Sequence, residues 1–138
     1  MEFPPTGKGT TMKYGFSRTV QLTYEQAIER VTAELKNEGF GVLTTIDVQE
    51  TLKKKLGVDF SKYVILGACN PSFAHQSLQI EEEIGLLLPC NVIVYEKEGT
   101  TVVAAFDPMI MSVVLDNPKM EPIAREVRGR LERVIANL

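Results

Sequence analysis

Two short echoes carry most of the chemistry open to this sequence. Cys69-Asn70-Pro71 and Pro89-Cys90-Asn91 hold both of its cysteines, and its single histidine, His75, lies between them. A thiol acts as a nucleophile or soft-metal ligand only as the thiolate, so its surroundings decide its reactivity. Asn70 and Pro71 are the residue types of a helix N-cap and first helical position. A helix starting there aims N–H groups and partial positive charge at Cys69, which predicts a lowered thiol pKa. If the strands ending at Cys69 and starting at Cys90 are antiparallel neighbours, the two thiols share one sheet edge. The candidate site is therefore Cys69, Asn70, Cys90 and Asn91. The competing reading is structural: small thiols often fill buried strand ends, and asparagine beside proline is common at caps.

Other chemistries fit less well. Cys69, His75 and Cys90 are three ligands at no common zinc spacing, and His75 on a short helix is expected to face solvent. A copper(I) site drawing on Met109 or Met111 suits soft ligands, but methionine in an apolar segment usually fills core or interface. The expectation is no metal and no cofactor. Gly39-Phe40-Gly41 is a helix-to-strand turn, not a strand-to-helix phosphate cradle. No Ser-His-Asp set can be assembled around His75. The residues name no reaction.

The 138 residues carry a net charge of −3 and ordinary apolar and charged fractions, which fit one globular domain. A phosphate-backbone binder needs a basic surface, and none is present, so nucleic acid is not an expected partner. The basic block Lys53–Lys55 is balanced by Glu81–Glu83, and each reads as a solvated turn or face. No apolar run has the length of a membrane span and no signal-peptide pattern opens the chain. The default expectation is a cytoplasmic protein with reduced thiols.

The elements that would position these residues follow from pattern. Residues 1–11 read as a flexible leader, broken by Pro4, Pro5, Gly7 and Gly9, and the domain spans 12–138. Lys13–Leu22 alternates and predicts a strand. Thr23 with Gln26 forms a capping box for a helix whose stripe is Ala27, Ile28, Val31 and Leu35, ended by Gly39. Phe40–Ile46 predicts a second strand. Asp47 caps a short helix with a buried stripe of Val48, Leu52 and Leu56, closed by Gly57. Tyr63–Ala68 is a third strand, and a helix from about Ser72 to Ile80 follows Asn70-Pro71. Beyond Glu81–Glu83, Pro89–Tyr95 and Thr100–Phe106 form a hairpin about Lys97-Glu98-Gly99. Asp107-Pro108 breaks the last strand. Met109–Leu115 is apolar and ambiguous between helix and edge segment. Asn117-Pro118 caps a final helix with Ile123, Val127, Leu131, Val134, Ile135 and Leu138 inward. Such helices are too few to cover both faces of a sheet. The predicted fold is α+β: a two-layer sandwich of mainly antiparallel sheet on two long helices, with short extra helices.

The string Leu66-Gly67-Ala68-Cys69-Asn70-Pro71, with Ala74 and Leu78, then Ile84–Val92 with its Pro89-Cys90-Asn91, then Tyr95-Glu96, resembles the signature of family 302 of the domains of unknown function. Val102, Asp107-Pro108 and Met109 fit it as well, and the likeness covers roughly Met12 to Leu138. The resemblance implies a TATA-binding-protein-like α+β fold and frequent homodimers. It implies no DNA binding and supplies no activity, substrate or cofactor. Two functions stay open: a module binding a small molecule or handling thiols at the Cys69/Cys90 edge, or a non-catalytic homodimer. In the second, Leu86–Leu88 and Met109–Leu115 would supply the interface.

Overall fold

A computed structural model describes residues 10, 11 and 14–138. The elements run β1 (Thr10–Thr11), β2 (Gly15–Val20), α1 (Tyr24–Asn37), β3 (Gly41–Asp47), α2 (Val48–Leu56), β4 (Tyr63–Cys69) and α3 (Pro71–Ile80). A 3-10 segment (Glu82–Leu87), β5 (Cys90–Lys97), β6 (Thr100–Phe106), α4 (Met109–Leu115) and α5 (Glu121–Ala136) complete the chain. The expected α+β architecture is present. All strand pairs are antiparallel, in the order β1-β2-β6-β5-β4-β3. Most of the expected leader lies outside the described residues. Its last two residues do not: Thr10 and Thr11 pair with Ser17 and Phe16.

Local chemistry accounts for the first helix as predicted. Thr23 Oγ1 accepts from the Gln26 N–H at 3.1 Å, and Gln26 Oε1 accepts from the Thr23 N–H at 3.0 Å. Each end of the box satisfies a donor that the first helical turn leaves free. Gly39 follows the helix at φ +86°, the left-handed conformation that glycine enters at least cost. Ala27, Val31 and Leu35 are buried, and they meet Val127, Leu131, Val134 and Ile135 of α5 over one face of the sheet. That face alternates inward: Val64, Leu66 and Ala68 on β4, Cys90, Val92 and Val94 on β5, Val103 and Ala105 on β6. Each fully buried Leu or Val there contributes about 1.5–3 kcal/mol.

Three expectations need correction. The stripe Val48-Leu52-Leu56 is not buried: α2 has no buried residue, and Leu56 is 69% exposed. The helix has an apolar stripe but no layer to set it against, because α2 only bridges the ends of β3 and β4. Its caps do form, with Asp47 Oδ1 accepting from the Glu50 N–H at 2.9 Å and Gly57 in the left-handed conformation. The last helix begins at Glu121 rather than at Asn117-Pro118, because Asn117 Oδ1 accepts from the Lys119 N–H and closes a turn instead of capping the helix. Asn70 stands at the N-cap position of α3 but makes no side-chain capping bond.

Met109–Leu115 resolves as a helix. Asp107 prepares it, with Oδ1 accepting from the Met109 N–H at 2.9 Å and Oδ2 lying 3.4 Å from Arg128 Nε. Met111 joins Ile84 and Met120 in a second small cluster, against which Leu87, Leu88 and Leu115 pack. Arg18 on β2 donates to the carbonyls of Ile135 and Ala136 at 3.2 and 2.9 Å, placing a cation at the negative end of α5.

A candidate ligand groove on the open face of the sheet

The strand register brings the Cys-Asn echoes together and then separates their members. Ala68 pairs with Cys90, and Gly67 with Asn91. The cysteines therefore share one edge of the β4/β5 ladder. Side chains alternate across a strand, so Cys90 follows Ala68 into the buried face while Asn91 stands on the opposite one. Cys69, Asn70 and Cys90 line a cavity of about 30 Å3 with Phe40, Phe73, Leu88, Met111 and Val127. Such a volume holds about one water, and a buried water needs two to four polar partners. This lining is almost wholly apolar, and the Ser77 hydroxyl is already committed to the Phe73 carbonyl at 2.8 Å.

The thiol chemistry runs opposite to the expected direction. Burial pushes the Cys90 thiol up to about 11, with the neighbouring Cys69 adding to it, and burial raises Cys69 as well. Desolvation disfavours the charged form. Asn70 serves structure: Nδ2 donates to the Glu38 carbonyl at 3.5 Å, where Arg130 Nη1 also donates at 3.0 Å. Arg133 grips the Glu38 carboxylate through Nε and Nη2 at 3.1 and 2.9 Å. The Arg130 guanidinium lies over the Phe73 ring, 5.2 Å from its centroid. This cluster ties the start of α3 to the end of α1 and to α5. His75 is exposed. Among the described residues, no group of three or more His, Cys, Asp or Glu side chains is placed to hold a metal ion. Their helices include none long and apolar enough to cross a membrane.

A larger concavity lies on the other face. The helices leave that side of the sheet open, and a groove of about 500 Å3 is lined by Tyr14, Ser17, Tyr63, Asn91, Ile93, Tyr95, Ala104 and Phe106, with backbone at Gly15 and Ala105. The register explains its shape. Ser17 pairs with Ala104, and Ala104 with Ile93, so small side chains sit at the centre. Tyr63 pairs directly with Tyr95, and their rings stack at 5.3 Å between centroids and 18° between planes. The Phe60 ring meets Tyr63 edge-on at 6.2 Å, so large rings rise at one end. Gly15 cannot be larger: a Cβ there would lie 2.6 Å from the Ala105 carbonyl oxygen. Burial raises the Tyr63 phenol, as do Tyr95 and Tyr14, which keeps it a neutral donor.

Of the four candidate residues, three line the small cavity and Asn91 lines the groove. Tyr14, Ser17, Tyr63, Tyr95 and Ala104 are functional candidates that the reading of motifs misses. Two signals point to them: the even spacing of Asn91, Ile93 and Tyr95, and the shortage of helices to cover a second face.

The fold and groove define a class: a two-layer α+β domain with one sheet face packed by helices and the other open and aromatic-lined. The family described as Domain of unknown function DUF302 matches residues 16–138. An uncharacterized conserved protein of that family from Bacillus stearothermophilus is 34% identical, with a TM-score of 0.84 over 90% of this chain and 97% of its own crystal structure. The chain belongs to the DUF302 family. No curated protein matches it.

Proposed function

We propose that this protein is a small-molecule-binding module whose site is the groove on the open face of its sheet, not the cysteine edge. The observation that carries the reading is the 500 Å3 concavity floored by Ser17 and Ala104 and walled by the Tyr63–Tyr95 stack. Small-molecule sites are typically concavities of roughly 300–1,000 Å3, mostly apolar or aromatic, with a few fixed polar groups. Here those groups are the Tyr14, Tyr63 and Tyr95 phenols, the Ser17 hydroxyl and the Asn91 amide. Among the described residues, no charged side chain lines the groove. The ligand it suits is accordingly uncharged and flat, stacking on the tyrosines and exchanging hydrogen bonds along one edge. The thiol-handling version loses support because Cys90 is buried, Cys69 is partly buried, and the cavity beside them measures only about 30 Å3.

Indole, a neutral aromatic probe, tests the reading by amide chemical-shift mapping. The expected shifts cluster at Tyr63, Asn91, Ile93, Tyr95 and Ala104, and Ala104→Trp, which fills the floor, removes them. Shifts confined to the Cys90 and Met111 region, or unchanged in the filled variant, would sink the proposal.

A further inference from the structure

Strand β5 sets three unlike side chains in a row along the groove: Asn91, Ile93 and Tyr95. They alternate with the buried Val92 and Val94, so all three stand on the open face. Four residues of strand place the Asn91 and Tyr95 Cα atoms about 13 Å apart. The wall therefore changes character along its length. It runs from the aromatic stack at Tyr95, past the alkyl side chain of Ile93, to the exposed carboxamide of Asn91. The β4 side of that amide is occupied. Gly67 pairs with Asn91, and a Cβ at Gly67 would run into Thr44 Oγ1 and lie 2.8 Å from Pro89 Cγ. Thr44 and Pro89 thus flank Asn91 on one side, and the groove lies on the other. Strand β5 is hydrogen-bonded to β4 and to β6, so a ligand must find its hydrogen bonds in side chains. The phenols and the Ser17 hydroxyl rotate to donate or accept. The Asn91 amide alone fixes a donor and an acceptor side by side in one plane.

We propose that the groove takes a planar bicyclic lactam, a ring with adjacent N–H and C=O groups fused to an aromatic ring, with its lactam edge on Asn91 and its aromatic ring against Tyr95. On the binding reading of the same groove, on which this assignment rests, the ligand gains a chemistry and a direction. Asn91 Oδ1 accepts from the lactam N–H while Nδ2 donates to the lactam carbonyl. A lone hydroxyl, carbonyl or amine cannot return both bonds in that plane. The aromatic ring takes the offset or edge-on contact that tyrosine rings favour, with centroids about 4.5–7 Å apart. A single ring held at Tyr95 leaves the amide to water. A second, fused ring carries the polar edge past Ile93 to Asn91, while the small side chains of Ala104 and Ser17 beneath leave room for both.

Chemical-shift titration of the full chain with 2-quinolinone and with its N-methyl derivative tests this, because the second compound lacks the lactam N–H. 2-Quinolinone is expected to bind about tenfold more tightly, with shifts centred on Asn91, Ile93 and Tyr95. Asn91→Leu, which keeps the bulk without the amide, should bring the ratio of the two affinities close to one. Circular dichroism reports whether the variant folds, and Asn91→Val, a residue suited to strands, replaces it if it does not. Equal affinities in the unaltered protein, or a preference that survives in the folded Asn91 variant, overturns the proposal. Indole separates the two readings. Indole shifts at Tyr63 and Tyr95 without a lactam preference would overturn the lactam and leave the binding site standing, whereas no shift with indole or either quinolinone would remove both.

Discussion

At the scale of single residues, Cys90 shows what burial does to a thiol. Its folded pKa is raised from 9.0 to about 11. A raised acid holds its proton in the folded state after the unfolded chain has released it. The associated stability is complete below the unfolded value and is lost as pH rises through the folded one. The window is therefore pH 9 to 11, and its width sets a ceiling of about 3 kcal/mol. Urea unfolding at pH 8 and pH 11 should show this loss, and Cys90→Ala should flatten it. An equal alkaline loss in the variant would assign it elsewhere, with Tyr24 the first suspect because its phenol is raised to about 12, burial first among the causes. The placement of both cysteines at one edge is legible in the sequence, because strand ends and a turn fix it. Their desolvation is not, since Phe40, Met111 and Val127 reach the cavity from three other parts of the chain.

At the scale of elements, cap chemistry is the most legible feature. Thr23 with Gln26 and Asp47 with Glu50 act on backbone within three residues, so no tertiary knowledge is needed. Thr23→Ala should cost about 1 kcal/mol, read as a lower urea midpoint with an unchanged slope; a change below about 0.3 kcal/mol would mean that solvent replaces the cap without loss. Burial is less legible than capping. α1 and α2 both carry apolar stripes, yet the first meets α5 and the sheet while Leu56 of the second meets solvent. A stripe states what a helix can bury and not whether a neighbour arrives. The segments Leu86–Leu88 and Met109–Leu115 divide for the same reason: Leu87, Leu88 and Met111 join the Ile84–Met120 cluster, while Leu86, Val113 and Val114 remain exposed. Asn70 is the local rule that fails, its amide drawn to the Glu38 carbonyl instead of its own helix.

At the scale of the whole molecule, the two-layer arrangement is legible from the number of helices against strands, whereas the groove is not. It depends on Ser17, Ala104 and Tyr63, which are scattered in sequence and meet only through register. The strand order holds a consequence for how the chain assembles. β3, β4, β5 and β6 are each neighbours of the next, so their pairings close loops of modest length. β2 instead pairs with β6, across nearly the whole sheet sequence. Loop closure costs entropy before contacts return it. The four-strand meander with α1 packed on it should form first, and β2 should add late, fastened by Arg18 at the end of α5. Pulse-labelled exchange during refolding should protect Val64, Val92 and Val103 before Arg18 and Val20; simultaneous protection would show that β2 belongs to the nucleus. If β2 is last to arrive, then until it docks β6 is itself a bare sheet edge, and the slowest moment in the life of a new chain is also the one in which it is most exposed to pairing with a stranger.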